Sequence, residues 1–223
     1  MAVAVPTLSL ERRLLRETPL VFACDEVGRG ALAGPVAVGA SVIDAASARR
    51  RVPEGLRDSK LVPEPKRAAV AERAAGWVRA SAVGWAEADE IDEVGIIRAL
   101  GLAAVRALAA LEELGFAPAT GIVLLDGNHD YITPVSRPAG GAGLTVRPVI
   151  KADRDCASAS AASVIAKVAR DARMVALHDE HPHYDWCSNK GYASPTHRAA
   201  IRELGLSAHH RRSWAIADAP TLF

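Results

Sequence analysis

The segment from Leu20 to Ile43 restricts the possible folds more than any other part of the chain. A short apolar run, Leu20 to Cys24, passes directly into Asp25 and Glu26, and Gly28-Arg29-Gly30 follows. After the Gly34-Pro35 break comes a second apolar run, Val36 to Ile43. Runs this short, bounded by turn residues, read as strands, and so brief a connection favours antiparallel pairing. The pair delivers two adjacent carboxylates to the end of a buried strand, where desolvation and repulsion cost free energy unless a cation or proton offsets them. The Gly-flanked Arg29 suggests backbone brought close to an anionic ligand. Alone, the stretch points to a metal site facing a phosphate.

The rest of the chain alternates between the two periodicities. Residues 1–18 form a short helical or loose lead-in. A Pro-punctuated loop, Val52 to Pro65, contains Asp58-Ser59-Lys60, and Pro65 is placed to start a helix running to about Gly76. Trp77 to Trp85 reads as a third strand. Asp89 to Leu114 reads as one helix with Ile97, Leu100, Ala104, Leu108 and Leu111 on one face and Gly115 as its C-cap. Ile122 to Leu125 is a strand buried on both faces, ending in Asp126-Gly127. A Gly/Pro-rich loop, Thr133 to Gly143, leads to a fifth strand, Leu144 to Ile150, which Pro148 pushes to an edge. Ser158 to about His178 is a long helix, and Pro195 to Leu204 a shorter one within a basic tail. The order implies a mixed α/β sheet of three antiparallel and two further strands, flanked by helices. Residues 19–178 are the expected core and 179–223 a C-terminal helical extension packed on it.

Composition narrows the class. With 223 residues, 50% of them apolar and 24% charged, the chain suits one soluble globular domain. Charges interrupt every apolar stretch well before about 18 residues, and the N-terminus has no apolar leader, so neither a membrane span nor a signal peptide is expected. Cys24, Cys156 and Cys187 are odd in number and far apart, which fits a reduced, cytoplasmic setting better than disulfides or zinc. A net charge of +1 conceals an asymmetry: residues 131–223 hold 12 Lys/Arg against 8 Asp/Glu and six of the seven histidines. That C-terminal part is the better candidate for meeting a polyanion. The chain shows no extended hydrophobic seam, so a monomer is expected.

Three segments place carboxylates after apolar runs: Asp25-Glu26, Asp126 and Asp153, with Asp130 and Asp155 as competitors on spacing alone. If the first and fourth strands are parallel neighbours, Asp25 and Asp126 emerge side by side, at the strand ends where α/β sites gather. Four carboxylates in one pocket suit Mg²⁺ or Mn²⁺. Two such ions about 3.5–4 Å apart activate a water and stabilise the leaving oxygen of a phosphodiester. His129, close to Asp126 in the chain, is a further candidate for proton transfer.

These residues match a known family. Asp25-Glu26-Val27-Gly28-Arg29-Gly30 followed by Ala33-Gly34-Pro35-Val36 resembles the N-terminal signature of ribonuclease HII, the type 2 ribonuclease H. Asp58-Ser59-Lys60, Leu125-Asp126-Gly127, Lys151-Ala152-Asp153, Ser160-Ala161-Ala162-Ser163, Ala166 to Asp171, Asn189-Lys190-Gly191-Tyr192, His197 and His210-Arg211 resemble its later blocks in order. Ala152 stands where Gly is common and Trp214 where Phe is usual, and Arg154-Asp155 adds charge beside Asp153. The resemblance implies a ribonuclease H-like fold with four acidic residues, Asp25, Glu26, Asp126 and Asp153, since the family Asp lies ten residues before the last Ser of the Ser-Ala-Ala-Ser block. It implies two divalent ions per site, cleavage of RNA in RNA–DNA hybrids, and cleavage of duplex DNA on the 5′ side of embedded ribonucleotides to leave 3′-hydroxyl and 5′-phosphate ends. Gly28, Arg29 and Gly30 match the turn that contacts the 2′-hydroxyl, and Tyr192 the residue that senses the neighbouring deoxyribose. Lys60, Lys190 and Arg211 are phosphate-contact candidates. Two other readings of the chain are a metal-dependent phosphohydrolase of a small substrate and a non-catalytic nucleic-acid-binding module. The basic C-terminal part and the Gly-Arg-Gly turn weigh against the first. The four carboxylates weigh against the second, because an unfilled acidic cluster repels nucleic acid. Thr221-Leu222-Phe223 reads as a frayed end, or a short binding tail.

Overall fold

The computed structural model describes residues 5–136 and 143–214; Thr221 to Phe223 lie outside them. In chain order the elements are α1 (Ser9–Leu14), β1 (Val21–Val27), β2 (Val36–Ile43), α2 (Glu64–Trp77), β3 (Ala80–Ala86), α3 (Ala88–Val94), α4 (Ile96–Glu113), β4 (Ile122–Asp126), α5 (Thr133–Ser136), β5 (Thr145–Val149), α6 (Ala152–Asp155), α7 (Ala157–Glu180), α8 (Trp186–Asn189) and α9 (Pro195–Leu204), with short 3₁₀ turns between them.

The five strands form one sheet in the order β3-β2-β1-β4-β5. β1 pairs antiparallel with β2, and β2 with β3, whereas β1–β4 and β4–β5 are parallel. Among the described residues β5 is an edge strand, the position in a sheet where a proline such as Pro148, which has no N–H to donate, is tolerated. Alternation along β1 sorts the core into two layers. Val21 and Ala23 pack with α2 and α7 on one face, and Phe22 and Cys24 pack with α4 on the other. Phe22 is fully buried, and burying a side chain of that size contributes about 1.5–3 kcal/mol. The first half of α7 is Ala and Ser, so its backbone lies close to the sheet, and Ser41 Oγ donates to the Ser158 carbonyl at 2.8 Å. A third cluster, Leu32, Met174, Tyr184, Trp186 and Ile201, seats the C-terminal segment against α7. All three cysteines are free thiols.

Several boundaries differ from the sequence reading. β1 runs on through Val27 because Asp25, Glu26 and Val27 remain in register with Gly39, Val38 and Ala37 of β2. The carboxylates therefore belong to the strand. Trp77 ends α2 instead of opening β3. The expected single helix from Asp89 divides at Gly95, whose φ of 78° is not helical. Thr133 opens one helical turn rather than a loop, because Asp130 Oδ1 accepts from the Ile132 and Thr133 amides, both at 2.9 Å. The turn α6 precedes α7, with Lys151 in the left-handed conformation at φ 60° just before it.

Candidate active site

The parallel register of β1 and β4, ending with Cys24 opposite Leu125, puts Asp25 and Asp126 side by side at the same end of the sheet. β5 ends beside Asp126, and the sharp turn at Lys151 swings α6 back so that Asp153 joins them. One carboxylate oxygen from each of Asp25, Asp126 and Asp153 lies within 4.8 Å of the others. The Asp153 amide donates to Asp126 Oδ1 at 3.2 Å, and Ser160 Oγ fixes the Asp153 carbonyl at 2.6 Å. Glu26, next along β1, lies outside this close group. Its carboxylate takes hydrogen bonds from Tyr131 Oη at 3.3 Å and Arg29 Nη1 at 3.4 Å.

Burial, then repulsion from Asp126, Glu26 and Asp153, pushes the Asp25 carboxyl well above its ordinary range, and the Ser163 hydroxyl offsets part of the shift. Asp153 is raised to about 6 by burial and by Asp126 and Asp58, against the pull of Lys60. Carboxylates held together at this cost form a donor set for a hard cation, since every donor is oxygen and a single lysine offsets the charge of three carboxylates only in part. Lys60 is the nearest basic group, its Nζ 3.8 Å from Asp153 Oδ2. Asp58 turns the chain there by accepting the Lys60 amide at 2.9 Å, and Ser59 bonds Ser163 of α7. Despite partial burial, Asp58, Asp25, Asp153 and Asp126 raise the Lys60 pKa.

Beside the carboxylates lies a cleft of about 470 Å³. Glu26, Gly28, Arg29 and Gly30 line it together with Ser59, Lys60, Arg67, Lys167 and Tyr192. Gly28 has φ 82°, and a Cβ there would lie 1.9 Å from Arg170 Nε. At Gly30 a Cβ would meet nothing within 4 Å. The Tyr192 ring is braced by Arg170 and Lys167, whose charged ends lie 5.3 and 5.5 Å from its centroid.

Two of the expected phosphate contacts are placed otherwise. Arg211 is fully buried. Its guanidinium donates to the carbonyls of Gly28 at 2.7 Å, Arg29 at 2.8 Å and Gly34 at 3.1 Å, so it grips the Gly-Arg-Gly turn from behind. Burial, then the neighbouring Arg170, lowers its pKa to about 9, which leaves it charged at neutral pH. Lys190 folds its Nζ back onto the Cys187 carbonyl at the end of α8 and sits 3.3 Å from Glu64 Oε1. Asp155 pairs with Arg154 at 2.7 Å on the surface, outside the cluster, and His129 is exposed beside Ile97 and Pro134.

Arg170, within the Ala166 to Asp171 block, grips backbone in the same way. Also fully buried, it donates to the carbonyls of Pro35 at 2.9 Å, Lys190 at 3.0 Å and Ala33 at 3.2 Å. Its spacing of seven from the buried Ser163 puts it on the inward face of α7, a signal present in the sequence. Tyr131 gave no such signal. Behind Tyr192 is a histidine pair whose tautomers follow from their partners. His197 Nδ1 meets the Tyr192 carbonyl at 2.9 Å and must carry the proton, so Nε2 accepts from Trp186 Nε1 at 3.1 Å. His210 Nε2 then donates to His197 Nε2 at 3.1 Å, and its Nδ1 accepts the Ser207 amide at 2.9 Å. Both rings are neutral in this arrangement. Burial lowers both pKa values, with neighbouring histidines taking His210 to about 3.

A family model described as Ribonuclease HII matches residues 23–217. The chain belongs to the ribonuclease HII family. It is 46% identical to Ribonuclease HII of Streptomyces avermitilis over 216 residues, covering 96% of this chain and 85% of that one. It is 47% identical to the Streptomyces griseus protein of the same description over 219 residues, covering 96% and 86%. The fold matches the crystal structure of ribonuclease H2 from Pyrococcus horikoshii with a TM-score of 0.69 at 27% identity, over 89% of this chain and 95% of that one. The mixed sheet with its helical extension is thus the ribonuclease H-like architecture, and the chain is a nuclease of the hydrolase class.

Proposed function

We propose that this chain hydrolyses the RNA strand of RNA–DNA hybrids and cuts duplex DNA on the 5′ side of embedded ribonucleotides, leaving 3′-hydroxyl and 5′-phosphate ends. The observation that carries this reading is one corner: the carboxylates of Asp25, Asp126 and Asp153 within 4.8 Å of one another, beside a cleft lined by Gly28, Arg29, Gly30 and Tyr192. Asp25, Asp126 and Asp153 would hold Mg²⁺ or Mn²⁺, with Glu26 alongside. When bound with substrate, two divalent ions supply charge stabilisation of the phosphodiester and activation of a water.

The protein's own residues set which bond is offered. Gly30 presents bare backbone to the cleft, so a sugar edge can approach closely there, and the 2′-hydroxyl is the local difference between ribose and deoxyribose. The braced Tyr192 ring gives a flat surface for the adjoining sugar, on which an extra hydroxyl would clash. Lys60 is placed to neutralise a phosphate near Asp153. Residues 19–178 carry the chemistry, and the segment after them holds this corner in shape.

The test is cleavage of a duplex with one embedded ribonucleotide against an all-DNA duplex, with and without Mg²⁺. Only the first, and only with metal, should be cut. Asp126→Asn should abolish cleavage while the protein remains folded; cutting at the parental rate would sink the assignment.

A further inference from the structure

A second group of ligating side chains lies at the C-terminal end of α7. Glu180 is the last residue of that helix and His181 its C-cap, while His209 comes from the loop after α9. One imidazole nitrogen of each histidine and one Glu180 oxygen all fall within 4.8 Å of one another. No hydrogen bond or ion pair joins the three among the described residues. The rings are nonetheless held. His181 and His209 each present an edge contact to the fully buried Trp186, at 5.5 and 6.0 Å between centroids, and lie 5.4 Å from each other.

We propose that Glu180, His181 and His209 form a second metal site, selective for a borderline divalent cation of the Zn²⁺ class. Two imidazoles and one carboxylate suit Zn²⁺, Co²⁺ or Ni²⁺, whereas the oxygen-only cluster of Asp25, Asp126 and Asp153 suits Mg²⁺ or Mn²⁺. Metal–ligand distances of about 2.0–2.2 Å require the three donors to draw closer, and the exposed Glu180 side chain is free to rotate inward. Three protein ligands leave a fourth position for water. Loading would fasten the end of α7 to residue 209, whose carbonyl accepts the Gly34 amide at 2.8 Å. Two residues on, Arg211 holds the Gly28 and Arg29 carbonyls. The ion would act as a clip on the segment that supports the turn.

The experiment uses the full chain in saturating Mg²⁺, titrated with Co²⁺ and followed by its visible absorption, with Zn²⁺ followed by calorimetry and thermal melting. The expected result is one further equivalent bound, an intense four-coordinate Co²⁺ band, and a higher melting temperature with Zn²⁺. His181→Phe keeps a ring against Trp186 but removes the ligand, and Glu180→Gln alters only an exposed side chain. Each should weaken binding at least tenfold and leave Mg²⁺-dependent cleavage at the parental rate. Absence of the band, or Co²⁺ binding equal to the parent's in Glu180→Gln and His181→Phe, overturns the proposal. Because Glu180 is exposed, its replacement carries the test even if the ring substitution disturbs packing.

Discussion

Gly28 and Gly30 are two identical residues flanking one arginine, yet they answer to different constraints. Gly28 is fixed by the protein itself, through its positive φ and the Arg170 guanidinium behind it. Gly28→Ala is therefore expected to destabilise the fold by about 1–3 kcal/mol in urea denaturation. Gly30→Ala should stay within about 0.5 kcal/mol of the parent, so any loss of cleavage it causes belongs to the substrate. Equal stability losses at the two positions would show that this distinction fails. The acidic cluster yields a pH prediction at the same scale. Asp25 and Asp153 hold protons in the metal-free fold that the unfolded chain releases. Both contributions to stability are fully present below the unfolded carboxylate value near 4; that of Asp153 is lost as pH rises through about 6, and that of Asp25 is lost in the same direction. The gain in melting temperature on adding Mg²⁺ should accordingly grow as pH rises through about 6 and flatten in Asp153→Asn. A metal-induced gain independent of pH would refute the coupling.

Among the elements, β2 and α9 match the sequence reading to the residue, because their signals are local: a Gly-Pro break before one, Ser194-Pro195 before the other. The division of α3 from α4 was missed because apolar spacing runs on through Gly95, so periodicity outvoted a single residue. The choice of Asp153 over Asp155 rested on resemblance in the sequence. In space it rests on the turn at Lys151, which aims one carboxylate inward and leaves the other to Arg154. Arg211 was expected as a phosphate contact, and its structural grip was not legible because its partners lie 177 to 183 positions away, beyond any local pattern. Arg211→Lys cannot span three carbonyls, and a cost of about 2–4 kcal/mol with impaired cleavage is expected. The histidine pair has the opposite pH sense to the carboxylates. His210 has a folded pKa of about 3, so its contribution to stability is present above about 6.5 and declines as pH falls. His210→Gln should be less stable than the parent at neutral pH, with a shallower loss of urea midpoint between pH 6.5 and 4; a steeper loss would contradict the neutral pair.

For the molecule as a whole, a net charge of +1 means that affinity for nucleic acid must come from local arrangement rather than from global attraction. Lys60 is exposed and 3.8 Å from Asp153, whereas Lys167 and Arg67 at the same cleft are largely buried against Asp171. Lys60→Ala is thus expected to lower the slope of log affinity against log salt by about 1; an unchanged slope would remove Lys60 from the phosphate contacts. The buried grip of Arg211 on Gly28, Arg29 and Gly34 also has a consequence in time. A ribosome makes the carboxylates of β1 well before residue 211. Until residue 211 is made, the nascent chain carries an acidic strand whose neighbouring turn lacks this anchor. The turn beside Asp25 and Glu26 is therefore locked only after residue 211 has emerged, so the last part of this corner to be fixed in time is the backbone between the carboxylates and the cleft.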